Sequence, residues 1–276
     1  MSRADPHPRG AFPAVSGPAL TIFFPMWNEE ELVARAVDAA REVADQLLTA
    51  GEIGDYEILV VNDASTDATG KIADELAVQH AQVRTVHHDV NRKLGGTLKT
   101  GFSEARGDVV LYTDADLPFD MIELEKALRL LRIYEADLVS AYRFDRTAEG
   151  PRRAVYTFAY NHLIRWTMGL RLRDVNFAFK LVRRRVLDHV TLESEGSFID
   201  VELLAKAHRL GFRTIQFGVD YFPRTRGIST LSSFAVIRQM AAELWRLGPT
   251  IRRIEPLTSA PPDLVGGGPW LRSHAS

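Results

Sequence analysis

Between residue 20 and about residue 141 the chain alternates between short apolar runs of strand length and longer runs of helical periodicity. "LTIFF" (20–24) is apolar or β-branched throughout, as suits a strand buried on both faces. "EEELVARAVDAAREVADQLLTAG" (29–51) follows it. There Leu32, Val33, Ala36, Val37, Ala40, Val43 and Leu47 recur at helical spacing, and Gly51 marks the stop. The pattern continues with strand "YEILVV" (56–61), a helix from about Thr66 to Gln79 and strand "VRTVH" (83–87). A helix from about Gly95 to Ala105, strand "DVVLY" (108–112), a helix from about Met121 to Tyr134 and strand "ADLVSAY" (136–142) complete it. Strand, helix, strand with short links requires crossovers of one hand, which build a mostly parallel sheet covered on both faces. The expected class is α/β. No internal repeat or low-complexity segment interrupts the series.

Ligands of such sheets gather at the carboxyl ends of the strands. Four polar segments fall there: "PMWNEEE" (25–31), "NDASTDAT" (62–69), "HDVNRKLGG" (88–96) and "DAD" (114–116). Each alone could be a turn or a cap; Asp63, Ser65, Asn28 and Glu29 could all serve as helix caps. The fourth adds a constraint. In an extended chain Asp114 and Asp116 point to one face, and two like charges that close repel unless they share a proton or a cation. A divalent cation that also holds a phosphate answers that arrangement. Four such segments on one edge favour a shared anionic ligand. No G-x-G-x-x-G follows the first strand and no G-x-x-x-x-G-K-[ST] occurs, which removes the support for dinucleotide and P-loop enzymes.

Composition narrows the setting. Cysteine is absent, which excludes disulfides and thiolate chemistry and is compatible with a cytoplasmic location. No apolar run approaches the roughly 18 residues of a membrane span. The opening "MSRADPHPRGAFPAVSGP" has no apolar core of a secretory signal. Pro- and Gly-rich ends are expected as disordered tails over 1–18 and 248–276, leaving a folded domain over 19–247.

The ordered series Pro25-x-Trp27-Asn28-Glu29, Asn62-Asp63-x-Ser65, Asn91-x-x-Leu94-Gly95 and Asp114-Ala115-Asp116-Leu117 resembles the nucleotide-sugar half of family 2 inverting glycosyltransferases. Within that family it is most similar to the dolichol-phosphate mannose synthase group of polyprenyl-phosphate glycosyltransferases. The second half carries the likeness further. "RDVNFAFKLVRR" (173–184), "SFIDVELLAKAHRLGF" (197–212) and "RTRGIST" (224–230) resemble that group's D-x-x-x-G-F-[KR], E-L-L and R-x-x-G-x-S segments. The resemblance spans about residues 20–247 and implies a GT-A-type fold, with a nucleotide-sugar half over 19–141 and an acceptor half over 142–247.

It also implies roles. Pro25, Trp27, Asn28 and Glu29 would form the first nucleotide loop, and Val61 and Asp63 the second, with Asn62 in place of the family's first acid. Asn91, Lys93 and Gly95 would lie beside the nucleotide, and Asp114, Ala115 and Asp116 beside its diphosphate. Asp114 and Asp116 would bind Mg²⁺ or Mn²⁺, which neutralises charge on the leaving nucleoside diphosphate. Arg143, Arg224 and Ser229 would serve an acceptor phosphate, for which a guanidinium is suited. Asp174 matches an acid that acts as base or orienter in some relatives, and it could equally be a structural turn acid. Of Asp200 and Glu202, two apart on a helix and so on different faces, at least one is expected to be structural.

The expected reaction moves mannose or glucose from GDP-mannose or UDP-glucose to a polyprenyl or dolichyl phosphate, at the inner face of the membrane. Arginine-rich flanks around "AVYTFAYNHLIRWTMGL" (154–170) fit an interfacial helix bound peripherally to lipid, and fit also a core helix with a solvated basic side. A second helix is expected in "LSSFAVIRQMAAELWRL" (231–247), and a separate membrane partner protein is compatible with both. The main alternative is a family 2 enzyme glycosylating a soluble phosphorylated or saccharide acceptor, and a more distant one a non-catalytic nucleotide- or lipid-binding module. No nucleic-acid motif accompanies the arginines.

Overall fold

The computed structural model describes residues 17–144, 160, 162–222 and 234–257, with the side chains of 234–237 left aside. Its centre is a seven-stranded sheet in the order β3-β2-β1-β4-β6-β5-β7. The strands are β1 (Ala19–Met26), β2 (Asp55–Asn62), β3 (Val83–His87), β4 (Val109–Thr113), β5 (Leu138–Arg143), β6 (Phe179–Arg183) and β7 (Thr214–Val219). The helices are α1 (Val33–Thr49), α2 (Thr69–Gln79), α3 (Lys93–Glu104), α4 (Glu123–Ile133), α5 (162–168), α6 (Arg184–Leu187), α7 (Ile199–Leu210) and α8 (Phe234–Arg252).

β1, β2, β3 and β4 run parallel, and β5 runs parallel to β7. β6 enters between β4 and β5, antiparallel to both. The sequence pattern delivers every strand and helix of the first half, but β6 is hidden within a segment that reads only as a motif.

Strand alternation divides the interior into two cores. Leu20, Ile22 and Phe24 of β1 join the core that holds the apolar sides of α1, α2 and α4, while Phe23 belongs with Leu98, Phe102 and α7. Both faces of β1 are therefore dry, which is why its sequence is an unbroken apolar run. α7 is buried from Ile199 to Ala207, charged residues included, so it is an interior helix. At the far end, α8 continues to Arg252, past the expected boundary at 247, because Leu247 and Ile251 are buried in the second core. Of the arginine-flanked segment 154–170, residues 154–159 and 161 lie outside the described residues. In α5, Ile164 and Met168 face the core, while Leu163, Arg165 and Trp166 are exposed. Its apolar side is thus divided between the protein interior and the surface.

Candidate active site

Register decides which loops meet. Met26 pairs with Asn62 and Asn62 with His87, so β1, β2 and β3 end level with one another. Thr113, the last residue of β4, pairs with Phe179, the first of the antiparallel β6, and Arg143 pairs with Val219. The segments after β1, β2, β3, β4, β5 and β7, and the one before β6, consequently share one edge. Among the described residues six non-glycines have positive φ, and Asn28, Ala64, Lys93, Leu117 and Asp174 all stand on this edge. Such backbone costs about 1–3 kcal/mol per residue and persists where surroundings over-determine it, typically at functional sites.

The first two loops brace each other. Thr66 N–H donates to Asn28 Oδ1 at 2.8 Å, Asn28 N–H to Ser65 Oγ at 3.0 Å and Glu29 N–H to Thr69 Oγ1 at 2.8 Å. Asn28 thus commits its side-chain oxygen to the second loop, while Trp27 stays more than half exposed. α2 starts at Thr69 rather than near Thr66, and Asp67 Oδ1 accepts Thr69 N–H at 2.9 Å and its hydroxyl at 2.5 Å. Burial works against the Asp67 carboxylate, but these bonds hold it below the usual range.

Asp63 is buried and tied down. Its Oδ1 accepts Arg92 N–H at 2.7 Å and lies 2.7 Å from His88 Nδ1. Asn91 Nδ2 donates to Asp63 O at 3.3 Å. Asn62, which takes the place of an acid, turns away toward α2: its Nδ2 meets His87 Nδ1 at 2.9 Å and its Oδ1 accepts Ser65 N–H at 3.2 Å. Two of the expected contact residues present no side chain to a nucleotide. Val61 is fully buried in the second core, so its side chain cannot reach one. Gly95 is buried against another part of the chain, where a Cβ would stand 2.4 Å from Glu195 C. Its N–H donates to Glu195 O at 3.1 Å, so glycine there permits close packing of backbones.

Asp114 and Asp116 are half-buried just past β4, with Ala115 packed into the core between them. They stand not in the extended chain expected but in a turn that Leu117 N–H closes onto Asp114 O at 3.3 Å. Negative charge converges here. The Tyr112 phenol is pushed up by burial first, then by Asp200, Asp114 and Asp116. Asp200 is itself buried; burial pushes its carboxyl up, Lys180 Nζ at 3.6 Å opposes the shift, and the Asp174 charge adds to it. Among the described residues no three His, Asp or Glu side chains close on one point. Asp114 and Asp116 could offer a hard divalent cation such as Mg²⁺ or Mn²⁺ two carboxylates, a partial set that a bound phosphate and water would have to complete.

On the other side of the edge Arg143 and Asp174 form a bidentate pair, Nε to Oδ2 at 2.7 Å and Nη2 to Oδ1 at 2.8 Å. The guanidinium lies 5.0 Å from the Tyr221 ring centroid and 5.7 Å from that of Phe177. Phe222 N–H donates to Pro118 O at 2.9 Å, joining the end of the β7 segment to the loop that follows Asp116. Arg224 and Ser229, and the rest of "RTRGIST", lie outside the described residues.

The family model for glycosyl transferase family 2 matches residues 21–191. The chain belongs to glycosyltransferase family 2. It is 34% identical over 221 residues to glycosyltransferase AglD of Haloferax volcanii, covering 78% of this chain and 35% of AglD. It is 28% identical over 232 residues to the undecaprenyl-phosphate mannosyltransferase of Micrococcus luteus, covering 78% of this chain and 93% of that protein. The chain thus spans about a third of AglD but nearly all of the second relative. Among solved structures it is similar to glucosyl-3-phosphoglycerate synthase of Mycobacterium tuberculosis in complex with Mn²⁺, UDP-glucose and phosphoglyceric acid. The TM-score is 0.62 at 20% identity, with 85% of this chain and 81% of that one covered. It is also similar to mannosyltransferase PcManGT of Pyrobaculum calidifontis with GDP-mannose and Mn²⁺, with TM-score 0.59 at 19% identity, over 90% and 72% of the two chains. At those identities the likeness establishes the GT-A-type fold.

In this family 2 chain several edge residues escape sequence reading. His88 and Thr100 stand behind Asp63, and Lys180 beside Asp200 is fully buried. Glu202 is structural: it accepts Glu193 N–H at 2.9 Å and Ser194 N–H at 2.7 Å. Of these, Lys180 and Glu202 stand within motifs quoted from the sequence, whereas nothing in the sequence ties His88 or Thr100 to Asp63.

Proposed function

We propose that this protein transfers mannose or glucose, with inversion, from a nucleotide sugar to a polyprenyl phosphate. The observation that carries the reading is the meeting, on one sheet edge of a family 2 chain, of the Asp114/Asp116 pair with the Arg143–Asp174 pair. Similarity across 93% of a relative named for undecaprenyl-phosphate mannosyl transfer supports the acceptor class.

Asp63, Asn91 and the Trp27–Glu29 loop would hold the nucleoside, with GDP-mannose or UDP-glucose as donor. Asp114 and Asp116 would hold Mg²⁺ or Mn²⁺, whose chemistry is to neutralise charge on the departing diphosphate. Arg143, locked by Asp174, would orient the acceptor phosphate, joined by Arg224 and Ser229. An acceptor phosphate oxygen bonds to the anomeric carbon as the bond to the diphosphate oxygen breaks and its electron pair leaves with the nucleoside diphosphate. One displacement inverts the configuration. The acceptor is already anionic at neutral pH, so no general base is required. The setting would be peripheral, at the cytoplasmic face of a membrane. A soluble phosphorylated acceptor is the second reading, favoured by the burial of Ile164, Met168 and Leu170 in the core.

Asp116→Asn is expected to reduce transfer on the order of 10²-fold or more with the fold intact by circular dichroism. Chelation should do the same to the unaltered protein. Full activity after verified removal of bound metal would overturn the role given to Asp114 and Asp116.

A further inference from the structure

Asp63 stands on the donor edge, yet its side chain is held from behind. His88 Nδ1 lies 2.7 Å from Asp63 Oδ1, with both side chains almost wholly buried. A carboxylate only accepts, so Nδ1 carries the proton and donates. The ring's other nitrogen, Nε2, lies 2.8 Å from Thr100 Oγ1, on the second turn of α3. In the neutral ring Nε2 accepts the threonine hydroxyl, which fixes the tautomer and the ring plane. The Arg92 amide, at the turn into α3, adds a second donor to the same Oδ1 at 2.7 Å. Both bonds thus converge on one oxygen of Asp63, and Oδ2 is the oxygen left to a ligand.

We infer that His88 is a positioning residue for the donor nucleotide, holding Asp63 so that Oδ2 accepts an N–H of the base or a hydroxyl of the ribose. The inference rests on the nucleotide-sugar reading above. Three features separate it from a histidine that only fills space. The imidazole uses both nitrogens, its partner is the buried carboxylate of the second loop, and its far end is anchored on the helix whose first turn carries Lys93. A buried carboxylate deprived of a strong donor loses its fixed orientation, and with it the geometry that makes it a good acceptor.

The test is calorimetric binding of UDP and of GDP, each with Mn²⁺, to the full chain and to three variants, followed by donor kinetics. His88→Leu removes the bond to Asp63. His88→Asn returns an amide N–H near the Nδ1 position. Thr100→Val unties the ring from the far side without touching the pair. The expected result is roughly tenfold weaker binding of the preferred nucleotide by His88→Leu, the scale of one charge-assisted hydrogen bond. His88→Asn should recover most of that loss, and Thr100→Val should lose a smaller amount. In turnover the loss should appear in KM for the nucleotide sugar rather than in kcat. Unchanged binding by folded His88→Leu would overturn the inference, as would equal losses in His88→Leu and His88→Asn. If His88→Leu does not fold, Thr100→Val with unchanged affinity overturns it. Failure of the unaltered protein to bind either nucleotide would overturn the donor-site reading itself, and this inference with it.

Discussion

Asp174 places both carboxylate oxygens on Arg143 and is itself 3% exposed, with a left-handed backbone at φ 47°. A carboxylate so engaged is a poor general base, because taking a proton would break a bidentate pair in a dry setting. It is well placed to fix a guanidinium that also lies against Tyr221 and Phe177. Asp174→Asn is therefore expected to lower transfer about 10- to 100-fold, mainly through a higher KM for the acceptor. Arg143→Lys should do likewise, since an ammonium cannot reproduce the fork. A base role predicts something different: the acid limb of the pH–rate profile would vanish in Asp174→Asn. Loss of that limb, with acceptor KM unchanged, would return Asp174 to the base role.

At the scale of elements, the loop at residues 193–196 is clamped by two buried acids from different helices. Glu202 of α7 takes the amides of Glu193 and Ser194, and Glu243 of α8 takes those of Glu195 and Gly196 plus the Ser194 hydroxyl at 3.0 Å. The same loop receives Gly95 N–H, so α8 is linked through it to the start of α3 and the donor edge. Glu243→Ala leaves the Glu195 and Gly196 amides without their acceptor, while the Ser194 hydroxyl keeps Gly196 O at 3.4 Å, and should cost about 2–4 kcal/mol by urea unfolding. Glu243→Gln should recover part of this, as one oxygen remains. A loss below about 0.5 kcal/mol would show that water replaces the carboxylate. Elements differ sharply in how far the sequence reveals them. β1, β2, β4 and β5 are legible because buried strands read as apolar runs between periodic helices, and the half-buried edge strand β3 by its short β-branched run between two of them. β6 is not, because Lys180 interrupts the apolar run of a five-residue strand. That ammonium is tolerated because Phe177 O accepts it and α7 brings Asp200 Oδ1 to 3.6 Å, and neither partner is visible from strand periodicity. The candidate site divides in the same way. The Asp114/Asp116 pair is visible in the sequence as two acids at a strand end, but the turn that holds both is not, and the partnership of His88 with Asp63 requires β2, β3 and α3 to be already assembled.

At the scale of the whole molecule the question is where the acceptor comes from. Among the described residues no helix is long and apolar enough to cross a membrane. α5 has its core side buried through Ile164 and Met168, and shows Leu163, Arg165 and Trp166 outward, with Trp166 83% exposed. Arg171 and Arg173 follow, both exposed, and the Arg173 guanidinium lies 5.3 Å from the Tyr142 ring centroid. An exposed tryptophan between cations suits the interface of an anionic bilayer, the ring at headgroup depth and the guanidinium groups on the phosphates. The protein is therefore expected to sediment with anionic vesicles at low salt and to be released as salt rises, because surface attraction is screened over about 8 Å at physiological ionic strength. Changing Arg165 and Arg171 together to Gln should weaken vesicle binding about thirtyfold, at roughly 1 kcal/mol per charge. Trp166→Ala should weaken it without altering its salt dependence, since the ring carries no charge. Arg224→Ala should leave vesicle binding unchanged and reduce transfer to polyprenyl phosphate. A protein that ignores anionic vesicles at low salt, and glycosylates a water-soluble phosphorylated acceptor but not polyprenyl phosphate, would decide for the soluble reading, in which the exposed face of α5 is only a solvated flank.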